Sequence, residues 1–271
     1  MKNLYIFFFK QQNTDKSFLA FFRISAGVFC LLRFLAIRKD FFLLYSRAGI
    51  IPPEVGELYK IKFIPSISNF SNLLNNYFGF SEHNSLLLFQ YIYMAAALFL
   101  IIGFIPRGFA LILLILHLIL SKGTHLYAYG VDCFTIIALF YCCIFPTASR
   151  FSVNALIFEP KIVNPTPYRR LLQLHLCLVY FFSGLEKLLG YNWWNGESIW
   201  KALHLPFFNL DFRIDFSYMA TYPSIPIFIG WMTIIIELLY PFFIWKQPFK
   251  NIWLTLIISM HLGILICLNL Y

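Results

Sequence analysis

Seven apolar stretches recur along the chain, several of them about twenty residues long, and they leave it few ways to fold. They are Phe18–Ile37, Ser85–Ile105, Gly108–Ser121, Cys133–Phe145, Arg169–Leu189, Ile225–Trp245 and Phe249–Tyr271. A hydrocarbon core about 30 Å thick takes roughly 20 residues of helix to cross, so each full-length stretch reads as a membrane span. Composition agrees: 60% of the 271 residues are apolar and only 12% are charged, too few to cover a soluble domain of this size. The expected fold is all-α, a polytopic membrane bundle of about seven transmembrane helices forming a single domain over residues 1–271. The third and fourth stretches are short, so their ends are expected to extend into flanking residues.

Two long connections interrupt the pattern. Residues 38–84 contain the Pro52-Pro53 break and YKIKFIPSISNFSNLLNNYFGF, too polar to span, which reads as interfacial segments with Phe and Leu toward lipid. Residues 190–224 contain WWNGESIWKALHLPFF. Leu4–Phe9 is a short apolar run with no small-residue cleavage site after it, so the first span is expected to be retained. Orientation follows from lysine and arginine in the short connections, because long loops cross with little regard to charge. With the N-terminus cytoplasmic, Lys122 is the only cation in a short outer loop, and both long connections lie outside.

The fifth span carries the densest polar content: Gln173, His175, Tyr180, Ser183, Glu186 and Lys187. A charged side chain at membrane depth costs about 2.5–3.5 kcal/mol on insertion scales and faces a bundle interior or a wet cavity. On a helical wheel Gln173, Tyr180 and Lys187 recur every seven residues and share one side, with Cys177 and Gly184 between them and Ser183 one turn from Lys187. His175 and Glu186 lie on a second stripe, roughly 100–120° away. Lys187 therefore has two readings. It snorkels to the outer interface under Trp193 and Trp194, neutralised by Glu186; or it is a desolvated base, which requires about 4–5 kcal/mol of disfavoured charge to bring a lysine near neutrality.

Glu237 sits mid-span in IIIELLYP, one turn before Pro241, which cannot donate a helix hydrogen bond to the Glu237 carbonyl. It is expected to be protonated, paired with Arg23 or a histidine, or lining a path. His261 lies near the middle of the last span and is a secondary acid–base candidate. Arg33 is expected to snorkel toward Arg38 and Lys39, and Arg23 to reach the opposite interface near Lys16 or to pair internally. His125 and Asp132 fall near an interface. The six cysteines have no metal-site spacing and read as small packing residues without disulfides. The net charge of +9 is scattered over loops with no cluster that would track phosphates, so no nucleic-acid partner is expected.

Three stretches resemble the HTTM family, the membrane domain shared with vitamin K-dependent gamma-carboxylase. They are YGVDCFTIIALFYCCIFPTASRFSVN (Tyr129–Asn154), RLLQLHLCLVYFFSGLEKLLGYNWWNGESIW, and IIIELLYPFFI with the later MHLGI. RAGIIPPE after the first helix extends the resemblance over nearly the whole chain. It implies that Lys187, in Gly-x-x-Lys-Leu, is the base toward a reduced quinone of menaquinol or vitamin K hydroquinone type. Glu186, Glu237 and His261 are then further acid–base candidates, and Tyr180, Gln173, Trp193 and Trp194 candidate cofactor-site residues. The chain departs from the family at Glu186, where the carboxylases carry a second lysine, at Asn154, where the family has Asp, and in lacking the globular region that follows the membrane domain. A neighbouring cation would lower the lysine pKa, whereas Glu186 would raise it.

Small bacterial members mature secreted peptide toxins, which implies a bacterial inner-membrane location, a lipid bilayer environment and a peptide or protein partner. Two functions stay open: a carboxylase-like enzyme acting from an outer-side cavity, and a non-catalytic membrane subunit that assembles or matures a partner. A transporter is disfavoured because no two halves mirror each other.

Overall fold

The computed structural model describes residues 2–10, 17–59, 61–123, 128–158, 163–205 and 212–268, and His125 lies outside them. The secondary structure of these residues is helical, without strands. In chain order the helices are α1 (Lys2–Phe9), α2 (Phe18–Ile37), α3 (Phe41–Tyr45), α4 (Pro53–Tyr59), α5 (Ile67–Phe78), α6 (Glu82–Ile102), α7 (Pro106–Lys122) and α8 (Gly130–Ile144). A 3-10 turn (Thr147–Ser149) follows, then α9 (Val153–Ile157), α10 (Thr166–Leu189), α11 (Tyr191–Trp194), α12 (Glu197–His204), α13 (Tyr218–Thr221), α14 (Ser224–Phe243) and α15 (Phe249–Leu268).

Five of these, α2, α6, α10, α14 and α15, are long and apolar enough to cross a membrane. At 1.5 Å per residue the 17-residue α7 and 15-residue α8 reach only about 25 and 22 Å. α7 extends past its expected limits at both ends and α8 only at its start, ending at Ile144; neither is among the five membrane-length helices. The second apolar stretch ends earlier than expected, because Gly103 caps α6 in the left-handed region (φ 73°) and the chain turns into Pro106. The first long connection folds into α3, α4 and α5. Ser66 caps α5 reciprocally with Asn69, Ile67 and Leu74 are buried, and Leu73, Tyr77 and Phe78 are exposed.

The chain divides into two compact units, residues 1–168 and 169–271. In the first, α2, α6, α7 and α8 pack as an antiparallel bundle with α5 against α6. Its core is apolar, with Cys30, Phe34, Phe89, Leu100, Leu113 and Leu139 fully buried. Two arginines of α2 depart from expectation. Arg33 does not snorkel: its guanidinium holds both Asp132 oxygens, at 2.8 and 2.9 Å. Asp132, only 2% exposed, also accepts the Tyr129 backbone N–H at 2.7 Å. His117 Nε2 lies 3.5 Å from the same carboxylate, and His117 Nδ1 is 3.0 Å from the Tyr93 hydroxyl. Arg23 is fully buried and pairs with no carboxylate among the described residues; it donates to the carbonyls of Thr147 (2.8 Å), Ile101 (3.3 Å) and Phe151. The backbone oxygens of Thr147, Ile101 and Phe151 accept its N–H groups without supplying a counter-charge.

In the second unit α14 is the hub, packing against α11, α12, α13 and α15. Cys177, Ile236, Tyr240 and Ile257 form its small core, joined by Trp253, whose indole N–H donates to the Ile236 carbonyl at 3.0 Å. All six cysteines are free, and Cys30, Cys142 and Cys177 are buried.

Candidate functional site

Lys187 and Tyr180 of α10 find partners on α14 and α15. Lys187 Nζ donates to Glu237 Oε2 at 2.8 Å and to Ser183 Oγ, one turn back on α10, at 2.6 Å. The Trp193 ring lies 5.2 Å from the same nitrogen, within cation–π range. The Lys187 side chain is 19% exposed and that of Glu237 7%, so most of both charges is withdrawn from solvent.

Gly184 makes the meeting possible. A Cβ there would come within 2.8 Å of the Leu238 nitrogen and 3.1 Å of Glu237 Cβ, so α10 and α14 touch backbone to backbone one turn from Lys187. α14 then continues past the end of α10. Glu237 is about 20 Å along α14 from Ser224, whereas Lys187 is two residues from the end of α10. The N-terminal half of α14 is occupied by the chain that follows Lys187: a Cβ on Gly230 would meet the Trp193 carbonyl at 2.6 Å, and one on Gly196 the Ile227 nitrogen at 2.7 Å. α11 and α12 therefore cover the pair.

The alignment of Tyr180 with Lys187 is borne out in contacts. Tyr180 packs its ring 4.6 Å from Tyr240, one turn beyond Glu237 on α14, and its hydroxyl is 2.8 Å from His261 Nε2 on α15. Lys187, Glu237, Trp193, Tyr180 and His261 thus fall along one seam formed by α10, α11, α14 and α15. The other candidates stand apart. Glu186 is exposed and takes no part in the ion pair, so the expected Glu186–Lys187 neutralisation is replaced by Glu237. Gln173 accepts from Arg170 at 3.1 Å. Trp194 donates its indole N–H to the Leu188 carbonyl at 2.7 Å, closing the end of α10. Among the described residues Glu237 pairs with neither Arg23 nor a histidine.

An open cleft of about 240 Å³ lies between α12 and the start of α14, lined by Asn195, Glu197, Trp200, Met219, Pro223 and Pro226. Glu197 in it is committed to Lys201 at 2.5 Å, and that cation, together with hydrogen bonding, holds its carboxyl below the usual range. No group of His, Cys, Asp and Glu among the described residues is arranged to hold a metal ion. No family model, curated protein or solved structure matches the chain.

Sequence reasoning found both members of the ion pair but not the pairing. Glu237 reads as mid-span and Lys187 as a helix-end residue, which places them at different depths. The overlooked signal was Gly184 beside Ser183, a small-residue step that permits helices to approach closely.

Proposed function

We propose that the second unit is a membrane-embedded acid–base site of carboxylase-like type, with Lys187 as base and Glu237 as its proton partner. The single observation carrying this reading is the 2.8 Å contact between an amine and a carboxylate largely withdrawn from solvent. As an ion pair, Lys187 is an ammonium and cannot accept a proton. Transfer of one proton from Lys187 Nζ to Glu237 Oε2 gives an amine and a carboxylic acid with no change in net charge, and that neutral pair is the form in which Lys187 acts as a base. The Ser183 hydroxyl, 2.6 Å from Nζ, keeps the amine oriented in either state.

A reduced quinone suits this donor set: Lys187 and Glu237 address a hydroxyl, and the Trp193 indole offers a face to an aromatic ring. Bound there, a quinol supplies an acidic hydroxyl and reducing electrons. The resemblance to the HTTM family, the bacterial inner-membrane setting with a cytoplasmic N-terminus, and a peptide substrate belong to this same proposal.

The alternative, a non-catalytic subunit that assembles a partner, is favoured by one feature. The pair is well satisfied and sits where Gly184 locks α10 to α14, as a structural clasp would. A double replacement separates the two. Lys187→Met with Glu237→Leu substitutes apolar volume for the pair, which is often neutral for stability. In a complementation assay with protein levels measured, the catalytic reading expects normal levels and no activity. Retained activity at normal levels would sink it in favour of the clasp.

A further inference from the structure

Among its described residues the first unit has a marked charge asymmetry. Every Asp and Glu among its described residues (Asp40, Glu54, Glu57, Glu82 and Asp132) lies in the connections or helix starts at the end where α2 finishes. At the opposite end, where α2 and α7 begin and α6 and α8 finish, the described residues include Arg23, Arg107 and Arg150 and no carboxylate. These arginines gather around one segment, Ile144–Phe151. Arg107 donates to the Ile144 carbonyl at 3.1 Å, Arg23 donates to Thr147 and Phe151, and Arg150 follows the 3-10 turn.

Carbonyls satisfy the N–H groups of Arg23 but carry no net charge, so its positive charge remains unneutralised inside the fold. Satisfaction is also incomplete: Arg23 Nε and Thr147 Oγ1 are buried with no hydrogen-bond partner. Arg107 and Arg150 are exposed, and neither has an acidic partner among the described residues. Beside them Phe21 and Phe151, 57% and 64% exposed, bring their rings to 6.2 Å at the edge of a membrane-length helix. A fixed buried cation, two exposed guanidinium forks and an exposed aromatic pair are what an anionic headgroup at a bilayer surface requires.

We propose that this end of the first unit binds the phosphate of an anionic phospholipid, held by Arg107 and Arg150 over the fixed charge of Arg23. The acyl chains lie along the exposed Phe21–Phe151 face. The site is independent of the Lys187–Glu237 reading and stands or falls without it.

Native mass spectrometry of the full chain released from nanodiscs, titrated with phosphatidylglycerol or phosphatidylcholine, tests the proposal. The expected result is one tightly retained phosphatidylglycerol and no comparable phosphatidylcholine. Arg107→Gln with Arg150→Gln should weaken retention roughly thirtyfold, the surface attraction of two basic residues. Arg150→Gln alone, at a side chain with no partner among the described residues, should weaken it about fivefold with the fold intact. Arg47→Gln, at the acidic end, serves as the control for general charge loss. Equal weakening by Arg47→Gln, equal retention of phosphatidylcholine, or displacement of the lipid by millimolar inorganic phosphate would each overturn the assignment.

Discussion

Two buried ion pairs, one in each unit, share a design and differ in one atom set. Arg33–Asp132 and Lys187–Glu237 both join a cation on one helix to a carboxylate on another at 2.8 Å. The arginine pair is bidentate and adds the Tyr129 N–H and the His117 imidazole around its carboxylate. The lysine pair has one direct bond, with a hydroxyl and an indole face completing the ammonium's surroundings. A guanidinium keeps its proton under any condition the protein meets, whereas a lysine amine loses its proton when its surroundings disfavour charge. The first pair can therefore only hold helices together. The proton transfer proposed above is open only to the second.

The largest expected effect breaks the arginine pair. Asp132→Ala leaves Arg33 without a counter-charge and frees His117 and Tyr129, at a cost of about 3–5 kcal/mol. The cost should fall toward the lower end because Arg33 is 27% exposed, and denaturant unfolding in micelles measures it. The matching break in the second unit, Glu237→Leu alone, should cost about 3 kcal/mol, and adding Lys187→Met should recover most of it. If the double variant is no more stable than the single one, the two pairs are not comparable.

Next comes Gly184→Ala, which pushes a methyl into the α14 backbone and should destabilise by about 1–3 kcal/mol in the same assay. A smaller loss would mean that the helices separate easily and the lysine pair is the looser of the two. The smallest effect sharpens the comparison. Tyr180→Phe removes one interhelical hydrogen bond, to His261, and should cost about 0.6 kcal/mol, the average for such bonds in membranes. Lys187→Arg bears on chemistry more than stability: it should keep protein levels and remove activity, because the arginine retains charge and pairing but not the ability to give up a proton.

The long apolar helices were legible because each satisfies its own backbone and advertises itself by length and composition alone. Five of them are of membrane length, while α7 and α8 are apolar but shorter, at 17 and 15 residues. In the site, the Tyr180–Lys187 stripe was legible from helical periodicity. The same periodicity sets Glu186 on a second stripe, and the contacts agree: Lys187 pairs with Glu237 and not with its chain neighbour. Arg33–Asp132 and His117–Tyr93 went unread because each links residues of different helices.

The sequence by itself determined that this chain is helical, built for a lipid bilayer, and burdened with cations that need partners. Only the tertiary structure decided which partners they have. Pairing depends on how far one helix slides along another, and that offset is set by contacts such as Gly184 on Leu238 and Gly230 on Trp193, which no single helix encodes. An offset of α14 past the end of α10 brings a mid-helix carboxylate to a helix-end lysine, and turns two separately costly charges into one pair.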